Sequence, residues 1–226
     1  LSIREYAANK LEASGSPKKR TTEERHGRYF AGFGGDDALE GLAREGGVKR
    51  RLVLALELDN LVAACRRAAM RNDAGVAVAT HRASAEVFAL HGPFAADIAL
   101  GEQVLSLEDL SDAQRTSMLA MVAQSMFRAG RMEEAKMRLD DALLRARMHD
   151  DARREAEVLV GLGSLHREQA RGTQARACLE EALAIARRIE DRACEADAQS
   201  GLAILDRQQS HPKDAREHFE AALAIA

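Results

Sequence analysis

The sequence predicts an all-α fold, and three observations carry that expectation. Only three prolines occur in 226 residues, and each stands beside other breakers: Gly15-Ser16-Pro17, Gly92-Pro93 and Ser210-His211-Pro212. Between them apolar residues recur at helical period, with no strict alternation that would make a strand. Hydrophobic residues are 46% of the chain but aromatics only 4%. The core must then be built from Ala, Leu, Ile, Val and Met, which suits helices packed closely on small residues.

Taken in order, the breakers bound a helix near 1–13, a polar linker over 14–22 with the basic cluster Lys18-Lys19-Arg20, and a helix near 21–32. Gly32, Gly34, Gly35, Gly46 and Gly47 make 32–47 the weakest stretch, with a helix expected over 36–45. The uninterrupted run 48–71 reads as one helix or two shorter ones. Helices follow near 74–91, 94–107, 112–129, 132–148, 152–170, 173–189, 192–209 and 212–226.

The last hundred-odd residues repeat. Ala135, Ala175 and Ala215 are spaced 40 apart; four residues on stand Leu139, Leu179 and Phe219, seven on Ala142, Ala182 and Ala222, and eight on Leu143, Leu183 and Leu223. Offsets of 4, 7 and 8 mark one face of a helix, so the second helix of each unit presents the same stripe three times. The small alanines let that helix approach its partner closely while the larger residue fills the gap.

These units resemble tetratricopeptide repeats (TPR). Gly130, Ala135, Leu139 and Ala142 match the family's pattern in the first, Leu162, Gly163, Ala175, Leu179 and Ala182 in the second, and Leu202, Ala215, Phe219 and Ala222 in the third. The family's first-helix Tyr is replaced by Met126, His166 and Asp206, and a period of 40 rather than the usual 34 implies longer helices. A HEAT-like array has a similar period but does not require this Ala/Gly register. A degenerate unit is expected over 74–110. The resemblance implies an α-solenoid, a right-handed superhelix of antiparallel helix pairs, with repeats over 73–226 (74–110, 111–150, 151–190 and 191–226). A smaller helical connector over 21–72 precedes it.

Upstream, Ile3-Arg4-Glu5-Tyr6-Ala7 with Leu11 resembles the end of the winged helix in bacterial STAND-type regulatory ATPases, which makes 1–20 its tail and a linker. His26 with Tyr29-Phe30, then Glu57-Leu58-Asp59-Asn60-Leu61 and Ala64, are similar to the connector before the repeats in those proteins. That resemblance implies a maltose-activator-like transcriptional regulator as parent, with kinases and cyclases that carry the same module as the alternatives. The chain begins at Leu1 and stops inside an apolar pattern at Ala226, which reads as a piece of something longer.

Charge and chemistry narrow the function. Lys+Arg 33 against Asp+Glu 36 gives a formal charge of −3, so bulk electrostatics do not favour nucleic acid. Lys18-Lys19-Arg20, followed by Glu23-Glu24, reads as a solvated linker. Three scattered cysteines (Cys65, Cys178, Cys194) form no disulfide framework or zinc pattern, and a reduced, cytoplasmic setting is expected. No apolar run is long enough for a membrane span and no signal-peptide pattern occurs. There is no P-loop: Gly161-Leu162-Gly163 lies inside a repeat helix as a packing feature. Seven histidines lack metal-ligand spacing; His211 and His218, seven apart, read as exposed residues at a helix start and its second turn. No catalytic constellation, cofactor or metal is expected, and the chain reads as a non-enzyme.

What remains is binding. The TPR resemblance places the first helix of each unit along a concave groove: Ser117, Ala120, Gln124, Phe127 and Arg128, then Glu157, Val160, Ser164, Arg167 and Glu168, then Asp197, Ser200, Ile204, Arg207 and Gln208. Of these Gln124, Phe127, Arg128, Ser164, Arg167, Glu168, Arg207 and Gln208 are the candidate site, with Arg128, Arg167 and Arg207 as a ladder on one wall. Guanidinium forks there suit a carboxylate or phosphate, so a peptide or protein partner, or a small anionic effector, is expected. Self-association through the C-terminal repeat is the alternative, since solenoid ends normally carry a polar cap.

Overall fold

The computed structural model describes Lys10 and residues 15–225. Residues Ile3–Ala7 and Leu11, which carry the winged-helix resemblance, lie outside the described residues. Every described element is helical, and the chain divides into two compact units between Leu110 and Ser111.

The first unit contains α1 (Ser16–Ala31), a 3-10 turn (Gly32–Gly34), α2 (Asp36–Glu40), α3 (Gly47–Leu56), α4 (Leu58–Met70), α5 (Ala74–His91) and α6 (Phe94–Leu105). Helix α1 starts inside the stretch that the sequence reads as a linker. Pro17 sits in its first turn, where a missing N–H costs nothing, and the Thr21 and Thr22 hydroxyls donate to the Pro17 and Lys18 carbonyls at 3.0 and 2.8 Å. Arg20 pairs with Glu24 one turn on at 2.9 Å. The run 48–71 is two helices, divided at Glu57 (φ −95°, ψ 6°). The expected helix over 36–45 stops at Glu40, short of the glycine-flanked turns. Gly34 lies so close to α5 that a Cβ would stand 1.7 Å from the Ala79 carbonyl oxygen, which only glycine permits. Phe30, Leu54, Leu61, Ala64, Ala83 and Val87 form the core. Elsewhere in the unit His81 of α5 and Asp97 of α6, both buried, meet at 3.2 Å.

The second unit explains the 40-residue period. Helices α7 (Asp112–Arg128), α8 (Met132–Met148), α9 (Ala152–Glu168), α10 (Gly172–Arg188) and α11 (Arg192–Gln208) are each 17 residues long, and α12 (Pro212–Ile225) follows. Seventeen helical residues plus a three-residue turn make 20, and a pair makes 40. Each turn has one residue with positive φ: Gly130, Asp150, Ala170, Glu190 and Ser210. The next residue donates back across the turn, Arg131 to Met126, Asp151 to Ala146, Arg171 to His166, Asp191 to Ala186 and His211 to Asp206, all at 2.8–2.9 Å. These are Schellman caps. Ser111, Asp151 and Asp191 cap the first helix of each pair, accepting from the N–H of Gln114, Arg154 and Cys194.

The alanine stripe lies in the seams: Ala135, Ala142, Ala175 and Ala182 are fully buried, and Ala215 and Ala222 nearly so. Leu139 and Leu179 insert between helices where the facing residues are glycines. A Cβ on Gly161 would stand 3.2 Å from Leu139 Cδ2, one on Gly163 2.6 Å from Leu179 Cγ, and one on Gly201 2.6 Å from Leu179 Cδ2. Leu179 with Leu159, Ile185, Ala198, Leu202 and Leu205 belongs to one core. In the last pair the equivalent Phe219 and Leu223 are 41% and 77% exposed. Among the described residues no helix is long and apolar enough to cross a membrane.

Candidate binding groove

The short turns lay α7, α9 and α11 in the same direction, with α8 and α10 returning between them. A cavity of about 420 Å³ opens along these first helices. Its lining includes Gln124, Phe127 and Arg128 from α7, Ser164 and Arg167 from α9, and Val160 and Leu165 as apolar floor. Five of the eight candidate residues therefore share one cavity. Glu168 is exposed beside it and holds Arg167 at 3.0 Å. Arg207 and Gln208 stand elsewhere, because α11 enters the cavity only through its first turns (Ala193, Cys194, Asp197). Arg207 instead lines a separate hollow with Ala215, Phe219 and Leu223 of α12. The three arginines thus divide between two hollows rather than sharing one wall.

The groove is charged at both ends. Arg128 is exposed and has no ion-pair partner among the described residues, while the Arg167 side chain is 15% exposed. At the other end stand Glu157, Asp191 and Asp197, with Arg153 between Glu157 (3.2 Å) and Asp191 (3.3 Å). Glu157 and Arg167 are ten residues apart on one helix, which separates the ends by about 15 Å. Glu157 and Asp197 are reachable by solvent yet hemmed in by protein. Burial pushes both carboxyls above the usual carboxylate range, with Arg153 and Arg154 opposing the rise at Glu157 and Asp191 adding to it at Asp197. Arg153, Asp191 and Cys194 lie outside the sequence-derived site. Asp191 was detectable as an acidic residue just before a helical run, the N-cap signature.

The remaining candidates have packing roles. Gly161 and Gly163 admit leucines, as described. His26 packs at a tilt of 46° on Phe30 with ring centroids 4.7 Å apart. Cys65, Cys178 and Cys194 are free thiols. Asp206, at the position of the family's Tyr, is fully buried.

Stacked antiparallel helix pairs with alanine seams and a groove along the first helices define an α-solenoid of the TPR class. The family model for the tetratricopeptide repeat matches residues 154–226, so a TPR array occupies the C-terminal part of the chain. Among solved structures, BtubC from P. vanneervenii is similar at 20% identity and a TM-score of 0.62, over 74% of this chain and 73% of that one. A Podosopora anserina kinesin light chain with nearly identical TPR-like repeats is similar at 17% identity and a TM-score of 0.56, over 91% and 93%. MamA is similar at 14% identity and a TM-score of 0.52, over 80% and 94%. No curated protein matches the chain.

Proposed function

We propose that this chain is a non-catalytic, cytoplasmic binding module whose groove seats an extended peptide segment of a partner protein. The observation that carries the reading is the cavity itself: an apolar floor along α7 and α9, flanked by the unpaired guanidinium of Arg128 and by Arg167. A carboxylate on the partner docks there by bidentate hydrogen bonds. A small anionic effector would use the same two groups. The resemblance of 21–72 to a STAND-type connector supports a place in a larger signal-transduction or transcriptional regulator, with the occupied groove biasing an upstream switch.

The test is selection of displayed octapeptides on the chain, followed by fluorescence anisotropy with the selected sequences. Changing Arg128 and Arg167 together to Ala should weaken acidic binders at least tenfold with no change in helicity. Undiminished binding would remove the groove from the mechanism. A second reading, self-association, rests on the exposed Phe219 and Leu223. Sedimentation of the chain, and of a Phe219→Glu/Leu223→Glu variant, separates the two.

A further inference from the structure

The groove carries more charge than the helices around it require. Asp191 is the N-cap of α11, accepting from the Cys194 N–H at 3.0 Å, so the helix itself accounts for it. Glu157 and Asp197 are not explained that way. Each is the sixth residue of its helix, α9 and α11, beyond the first turn in which capping or the helix dipole favours an acid. The repeat register does not demand an acid either, because forty residues before Glu157 the same position holds Ser117.

Nearby cations leave this end under-neutralised. Arg154 is engaged by the Ser117 hydroxyl and the Asp151 carboxylate, both at 2.8 Å. Arg153 is divided between Glu157 and Asp191. Asp197 lines the cavity with no ion-pair partner among the described residues. Three carboxylates therefore share one lining guanidinium at this end, while at the other end Arg128 is unpaired. A cationic group seated among the carboxylates supplies the missing charge, and would return the raised Glu157 and Asp197 carboxyls toward their usual range.

The two poles are too far apart for one small molecule to touch both. Glu157 and Arg167 are separated by about 15 Å along α9, and Asp197 and Arg128 stand on the helices to either side. An extended chain advances about 3.3 Å per residue, so about five residues cover that distance. Val160 lies between the poles as apolar floor.

We propose that the groove recognises a two-charge segment of its partner: an acidic residue at Arg128 and Arg167, and a basic residue about five positions away at Glu157 and Asp197. This rests on the reading of the groove as a peptide seat and adds the basic residue, the spacing and the placement of the segment along α9. A partner that is only acidic fills one pole and leaves the carboxylates crowded around Arg153. A lysine or arginine at the second pole relieves that crowding, so the two ends together discriminate against merely acidic peptides.

The probes are octapeptides enriched on the full chain from a randomised display library, then synthesised with both ends blocked and measured by fluorescence anisotropy. The enriched sequences should pair an acidic with a basic residue about five positions apart. Replacing the basic residue by alanine should weaken binding about tenfold or more. The variant Glu157→Gln/Asp197→Asn, with its helicity checked by circular dichroism, should bind the parent peptide and its alanine version alike. Enriched sequences that are acidic alone, or a basic residue whose removal costs as much in the variant as in the wild-type chain, overturn the two-charge proposal and leave the peptide seat standing. Failure to enrich any sequence removes both.

Discussion

Replacing Gly163 with alanine tests the seam that sets the spacing of the array. The new methyl would stand 2.6 Å from Leu179 Cγ and 2.8 Å from Cδ2, with the Ala175 carbonyl oxygen 3.4 Å away. Cγ is not the mobile end of that side chain, so the helices must part or Leu179 must leave its rotamer, at about 1–3 kcal/mol. Alanine also favours the helix over glycine by about 1 kcal/mol. The net effect is a destabilisation between about 0 and 2 kcal/mol. Leu179→Ala alone should cost about 2–5 kcal/mol, because the side chain is fully buried. In that background the clash is gone and only the helix preference remains, so Gly163→Ala should then stabilise by about 1 kcal/mol. The sign reverses between the two backgrounds. Urea denaturation of the four proteins of this cycle measures it, and a Gly163→Ala effect of equal sign and size in both would refute the packing argument.

Three other outcomes are expected. Burial pushes the Cys65 and Cys194 thiols up to about 12, so at pH 8 a disulfide reagent should modify half-buried Cys178 first and leave those two until the chain unfolds. Asp197 binds its proton more readily folded than unfolded, so its charge costs stability above the raised value and nothing below the unfolded value near 3.8. Asp197→Asn should therefore raise the urea midpoint relative to wild type at pH 7 and lose that advantage at pH 3. Ala170 holds a φ of 57° in a capping turn, and Ala170→Gly should raise stability by about 1 kcal/mol, read from the same urea curves.

The repeat was legible because it is written in residue size. Alanines at 135, 142, 175 and 182 recur at a fixed spacing, and close packing demands small side chains there. The equal 17-residue helices were less visible, since Asp150, Ala170 and Glu190 are not glycines and do not announce a left-handed turn. Only the start of helix α1, ahead of Thr21, was missed, because its threonines bond back to their own backbone, a local choice that composition does not reveal. Gln124, Phe127, Arg128, Ser164 and Arg167 could be grouped from the repeat register. Arg207 could not be separated from them, because its surroundings depend on α12 rather than on its own helix. The Asp206–Arg176 contact joins residues 30 apart on different helices, which no local pattern encodes.

The identical turns every twenty residues make the chain divisible. Excising residues 151–190 would join Asp150, already left-handed, to Asp191, already a helix cap, and Leu139 would meet Gly201 where it had met Gly161. Length can thus change by whole blocks without any junction being remade, whereas one inserted residue inside a helix would swing every later side chain by about 100° and scramble the joint beyond it.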